Sequence, residues 1–252
     1  MTMQADIIGK RLSRRTVLMS AGLGAVGFTA AQAGFLRTMA AQSDELQDIL
    51  DITATTERFG VTFLGEGLAS NEAGNFDRAW PDAVVAVVTA ARAQEQFHLD
   101  AFEEAGGTAL VDTFTIPEDF LTSFDAFFGA LVEQESAEVG AQVAAMKAFT
   151  ELERPDLVKI SFQYAAEEAE HRLLANYTLG TRPANDVAFP AAPFETVADF
   201  LASLEERGII GGSGTEIVFP GPGEIDDTNV TEQEPGGPAV DCAPSGTPAA
   251  DD

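Results

Sequence analysis

This chain contains two histidines, and each stands three residues after a glutamate: Glu95-Gln96-Phe97-His98 and Glu168-Ala169-Glu170-His171. Glutamate fills 23 of 252 positions, so that spacing before both histidines is a rare coincidence. On a helix, positions i and i+3 share a face, and each motif offers one carboxylate and one imidazole to the same point. Both motifs continue apolar stripes. Val84, Val88 and Ala91 lead to Glu95 and His98, followed by Phe102; Leu157, Ile160 or Ser161, and Tyr164 lead to Glu168 and His171. The motifs therefore face a core, where an ionised carboxylate is costly unless a cation, a hydrogen bond or a proton meets it.

The rest of the chain supplies helices for these two to pack against. The spacing predicts a helix from Asp44, capped with Gln47, to about Ser70, and a second from Pro81 to Glu104, closed by Ala105-Gly106-Gly107. A third runs from about Ser123 to Thr150, and a fourth from Pro155 to Thr178, ending at Leu179-Gly180. Residues 108–122 form a connection too long for a tight turn, suited to crossing from one end of a bundle to the other. No stretch alternates convincingly as a strand. These features predict an all-α chain, a four-helix bundle over residues 44–180 with a long crossover between helices 2 and 3. The first and third helices also carry a glutamate on the apolar stripe. Glu57 lies midway between Leu50 and Leu64, and Glu135 follows Phe124, Phe128 and Leu131. A solvated helix edge is the alternative for either. Glu138, one turn beyond Glu135, is close enough to the same face to take its place or support it. Glu167 and Glu170 fall off the stripe and read as solvated, and Tyr164 reads as core packing, with a hydrogen bond to a ligand or a part in redox chemistry as the alternative.

Four core carboxylates and two imidazoles call for positive charge, which two divalent metal ions would provide. The oxygen and nitrogen donors suit iron or manganese, and zinc can also bind. The one cysteine, Cys242, rules out an internal disulfide and a Cys-based zinc or iron–sulfur site. The order Glu, Glu-x-x-His, crossover, Glu, Glu-x-x-His resembles the ferritin-like di-iron and di-manganese carboxylate superfamily over residues 44–178. The stretch Glu135-Ser136-Ala137-Glu138-Val139-Gly140-Ala141 is similar to exported ferritin-like proteins of the desiccation-related group. By that resemblance Glu95 and Glu168 bridge two metals, Glu57 and Glu135 are terminal ligands, and His98 and His171 bind one metal each. It implies chemistry with iron, O2 or peroxide, either ferrous oxidation or catalase-like disproportionation, in stress protection. The rival expectation is a non-enzymatic structural or stress-protective binding module. Surfaces that would build a ferritin cage are missing.

The termini differ from the middle. Lys10, Arg11, Arg14 and Arg15 precede an apolar run from Val17 to Ala33, the order of a signal peptide over residues 1–33. Ser13-Arg14-Arg15-Thr16-Val17-Leu18 resembles a twin-arginine export signal, with Val17 in the usual Phe place and no Lys after it. The resemblance implies export as a folded protein, to the periplasm, cell surface or medium. If uncleaved, the run would attach the chain to a membrane, although it is short for a spanning helix. The formal charge is −27, with lysine only at positions 10, 147 and 159. Such a surface repels nucleic acid and anionic lipid, and suits a salt-rich setting. Residues 181–212 are expected to form a Pro-rich strap, extended over Phe189–Phe194, and a short helix capped by Thr196 and ended by Gly208. From residue 213 to 252 a Gly-, Pro- and acid-rich composition predicts a mobile tail. Asn176 and Asn229 start glycosylation-type triplets. Assembly into a homo-oligomer is left open.

Overall fold

The computed structural model describes residues 30–188 and 190–231. Contacts divide the chain into Met1–Ala41 and Gln42–Asp252. Of the first unit only residues 30–41 are described, as helical backbone; the structure below is that of the second. The signal-type segment ahead of residue 30, Phe189 of the strap, Cys242 and the tail beyond residue 231 lie outside the described residues. No helix among the described residues is long and apolar enough to cross a membrane.

The protein is mostly helical. Four long helices, α1 (Ala30–Glu72), α2 (Asp82–Glu104), α3 (Phe124–Glu151) and α4 (Pro155–Thr178), precede a short α5 (Val197–Glu206). Local chemistry sets most of the ends. Pro81 takes the extended N-cap position of α2, and the Ser123 hydroxyl accepts from the Ala126 N–H at the start of α3. Pro155 opens α4, which closes on Gly180 at φ 85°. At α5, Thr196 and Asp199 form a reciprocal capping box. The start of α1 corrects the sequence reading: Asp44 lies inside the helix. Residues 35–43 hold Leu, Arg, Met and Ala with no Pro or Gly, so nothing stops helical turns upstream of it.

A small ribbon is the second correction. β1 (Thr113–Ile116) lies in the α2–α3 connection and is followed by a 3-10 turn, Glu118–Leu121. It pairs antiparallel with β2 (Thr215–Val218), with Phe114 opposite Ile217. A mobile tail from residue 213 is therefore not what the structure shows up to residue 231. Four-residue strands are too short to register as alternation, although their β-branched and aromatic side chains suit a half-buried ribbon.

Two apolar clusters lie along the helices, with the glutamates and histidines between them in sequence. One holds Phe59, Phe63, Val88, Phe127, Phe128 and Ala175; the other holds Leu50, Leu99, Phe102, Phe149, Leu157 and Tyr164. α1 and α4 thus run from the second cluster to the first, and α2 and α3 run from the first to the second. α1 is buried on every side from Asp51 to Gly65 except at Arg58. One cover is the turn after α2, where Thr108 N donates to Asp51 Oδ1 at 2.6 Å and Leu110 N to Thr55 Oγ1 at 2.8 Å. Another is the segment after β2, held by Arg92. The hydroxyls of Thr53 and Thr62 are satisfied inside the helix, donating to Ile49 O at 2.8 Å and Arg58 O at 2.7 Å.

Candidate metal centre

Between the two apolar clusters all four long helices turn acid or imidazole inward. α1 contributes Glu57, α2 Glu95 and His98, α3 Glu135 and Glu138, and α4 Glu168 and His171; each is at most 5% exposed. Glu57, Glu95, His98 and Glu168 each place one donor atom within 4.8 Å of the others, and so do Glu95, Glu135, Glu168 and His171. The six residues singled out from the sequence therefore lie in two groups that share Glu95 and Glu168. Glu138 is buried beside them but belongs to neither group. A residue with no side chain makes room for the approach of α1 and α2. A Cβ on Gly60 would collide with Glu95 Oε2 and sit 2.7 Å from its Cδ.

The histidines meet the carboxylates through the same ring atom. His98 Nδ1 lies 3.0 Å from Glu168 Oε1 and 3.3 Å from Glu57 Oε2. His171 Nδ1 lies 3.0 Å from Glu168 Oε2, 3.3 Å from Glu95 Oε1 and 3.7 Å from Glu135 Oε1. His171 Nδ1 and Glu168 Oε2 are hydrogen bonded, but most of the atoms around them are not. Glu57 Oε2, both oxygens of Glu95, Glu135 Oε2, Glu168 Oε1 and His98 Nδ1 are buried without a partner. No arginine comes within ion-pair distance of these carboxylates among the described residues. Left so, each group would carry the full cost of a desolvated, unpaired polar atom. Lone pairs converging on a common point suit a cation of the size that carboxylate and imidazole bind. These buried Glu and His groups could hold a metal ion.

Electrostatics show what the cluster does without one. Burial pushes the Glu57 carboxyl up to about 8, against the opposing pull of His98. Burial likewise raises Glu95, and Glu135 and Glu138 go well above the usual carboxylate range. Burial also acts to raise Glu168, but the charges and hydrogen bonds of His98 and His171 outweigh it and hold the group below its ordinary value. Both imidazoles are driven the other way. Burial disfavours their charge, yet the surrounding carboxylates hold them well above 6.5. The cluster balances itself with protons, which a divalent ion would displace.

The outward-facing ring nitrogens are held by two residues whose role the sequence reading missed. His98 Nε2 lies 3.4 Å from Glu167 Oε2, and His171 Nε2 lies 3.1 Å from Gln94 Oε1. Gln94 Nε2 in turn donates to Glu167 Oε1 at 2.7 Å. With a proton on each Nε2, His98 donates to Glu167 and His171 to Gln94, so on metal binding the inward Nδ1 atoms would be the ones to give up their protons. Glu167 is therefore no freely solvated surface acid. The signal was present, since Gln94 stands four residues before His98 and Glu167 four before His171, yet each bonds the other helix's histidine. On the inner side Tyr164 stacks on His98 with ring centroids 4.0 Å apart, its hydroxyl buried without a partner. Glu138 accepts from Gln134 Nε2 at 2.9 Å, and Gln134 Oε1 accepts from Arg207 Nη2 at 2.8 Å. Glu170 is exposed. Asn176 is buried at 6% exposure, which removes it as a glycosylation acceptor in the folded chain, whereas Asn229 is exposed.

Comparison with family models, with characterised proteins and with solved structures gives no significant match. The chemistry of the cluster has to be read from its own residues.

Proposed function

We propose that the chain is an exported ferritin-like four-helix bundle with a crossover between α2 and α3, whose central cluster holds two divalent ions, iron or manganese. The observation that carries this reading is the overlap of two four-residue donor groups at Glu95 and Glu168. In it, Glu95 and Glu168 would serve both ions, Glu57 with His98 would complete one site, and Glu135 with His171 would complete the other. The opposed directions of α2 and α4 between the two apolar clusters support the bundle, as does a nineteen-residue α2–α3 connection that begins at one cluster and ends at the other. Bound iron or manganese would supply redox chemistry toward O2 or peroxide, the basis of ferroxidase- or catalase-like stress protection.

The chain's own residues have defined parts in this scheme. The four ligand carboxylates offset the charge of two divalent ions, so the core stays near neutral. Glu167 and Gln94 hold the imidazole protons on Nε2 and keep Nδ1 free to ligate. The phenylalanines at one end and Phe102, Leu157 and Phe149 at the other exclude water from above and below. The test is metal analysis of the full-length protein made with iron and manganese supplied, together with assays of Fe(II) oxidation and peroxide consumption. Two equivalents per chain, lost in Glu95→Ala/His98→Ala, are expected. Less than one equivalent in the wild type overturns the reading. Two equivalents with neither activity would leave metal binding standing and reject the redox role.

A further inference from the structure

Beside the carboxylate cluster lies a cleft of about 180 Å³ that the metal reading does not use. Phe59 and Phe63 of α1, Phe120 of the 3-10 turn, Ala130 of α3 and Ile209 beyond α5 give it an apolar lining. Cavities of about 150 Å³ lined this way take up benzene, so the space accommodates one six-membered ring. Its polar lining is Thr115, Gln134, Arg207 and, exposed on α3, Glu133.

Arg207 is the unusual member. Its Nη2 donates to Gln134 Oε1 at 2.8 Å and its Nε to Ser203 O at 3.3 Å. Arg207 Nη1 has no hydrogen-bond acceptor and no carboxylate within ion-pair distance among the described residues. A half-buried guanidinium with spare donors, facing an apolar slot in a chain of charge −27, offers the fork geometry a carboxylate fits. Glu133 and Glu138 act on it only at longer range. The cleft is also wired inward. Gln134 accepts from Arg207 and donates to Glu138 at 2.9 Å, so one side chain separates Arg207 from the buried acids.

We propose that this cleft binds a single-ring aromatic monocarboxylate, with the ring among Phe59, Phe63 and Phe120 and the carboxylate on Arg207. The ring supplies apolar contact that acetate lacks, and the carboxylate supplies the charge-assisted pair that a neutral ring compound lacks.

The probe is benzoate, titrated into the full-length protein by calorimetry, with benzyl alcohol and acetate alongside. Benzoate is expected to bind at least about tenfold more tightly than either, because only it combines the ring contact with a charge-assisted hydrogen bond. Arg207→Gln should weaken benzoate at least about tenfold while leaving benzyl alcohol within about twofold. Ala130→Phe should abolish binding of both by filling the slot; if that variant does not fold, Ala130→Leu takes its place with the same expectation. No benzoate binding, equal binding of benzyl alcohol, or benzoate binding untouched by the filled slot each overturns the proposal. No metal enters the readout. Protein empty of metal that still binds benzoate refutes only the metal reading, and metal-loaded protein that ignores benzoate refutes only this one.

Discussion

Gly60 shows how a single missing methyl group shapes the site. Glu95 reaches the cluster across the surface of α1 at a point where any side chain would overlap its carboxylate. Gly60→Ala must move either the helix or the acid, and overpacking of this kind costs about 1–3 kcal/mol. The expected result is a lower melting temperature together with weaker Mn(II) binding in a calorimetric titration. Gly129→Ala is the control: a Cβ there meets nothing within 4 Å, and helix propensity favours alanine by about 1 kcal/mol. Unchanged metal affinity in Gly60→Ala would mean that Glu95 is not a ligand. Glu167 tests the outer contacts. It is half-buried and accepts from Gln94 Nε2. Glu167→Gln keeps the shape but removes the charge that favours protonated Nε2 on His98. Removing such a contact typically weakens metal binding about 10–100-fold, and here it should leave the far-ultraviolet circular dichroism unaltered. Wild-type affinity in this variant would deny it a positioning role.

Helices and strands were unequally legible, for reasons visible at single residues. α4 runs between Pro155 and Thr178, the bounds read from its proline and its Leu-Gly end, because both signals are local. Glu57 and Glu135 were found because an acid on an apolar stripe is conspicuous. Arg92 hid in the same pattern for the opposite reason, since an arginine beside Ala91 reads as surface. It is 3% exposed, and its guanidinium donates to Val61 O at 3.2 Å and Pro220 O at 2.8 Å. Gly65 leaves the room for it, since a Cβ there would lie 2.6 Å from its Cζ. Only the tertiary structure brings α1, α2 and the segment after β2 together at this side chain, so no local period announces it. Nor does any period mark residues 215–218, whose partner lies about a hundred residues upstream. Arg92→Met should free the segment after β2 while the long helices persist. Leaving the buried Val61 carbonyl without its charged donor costs about 1–3 kcal/mol. Limited proteolysis is expected to cut first near residues 219–224, and survival of that segment at wild-type rate would show that Arg92 does not clamp it.

For the whole molecule, charge and protons set the conditions under which this fold is stable. With 41 acidic and 14 basic side chains, the folded chain repels itself, and added salt shortens the screening length from about 10 Å at 0.1 M to about 3 Å at 1 M. The melting temperature should therefore rise with NaCl at constant pH. The buried cluster adds a second dependence of opposite origin. Glu57 is raised to about 8, and Glu95, Glu135 and Glu138 are raised as well. A chelator-stripped chain thus keeps protons on these groups that the unfolded chain releases above about 4.5, the ordinary glutamate value. The two imidazoles, held above 6.5, act in the same sense. Where the native state binds more protons, stability falls as pH rises, by about 1.4 kcal/mol per pH unit for each proton. Glu168, held below its ordinary value, works the other way, but its contribution is lost only as pH falls below about 4.5. Metal-stripped protein should therefore lose melting temperature steadily from pH 5 to pH 8, by at least about 3 °C per unit. Metal reverses the trend, because each ion must displace those protons and meets fewer of them at higher pH. The rise in melting temperature on adding Mn(II) should be small at pH 5 and largest at pH 8. A stripped protein whose stability climbs over that range would show that the cluster is ionised in the fold, and the proton balance drawn from its burial would fall with it.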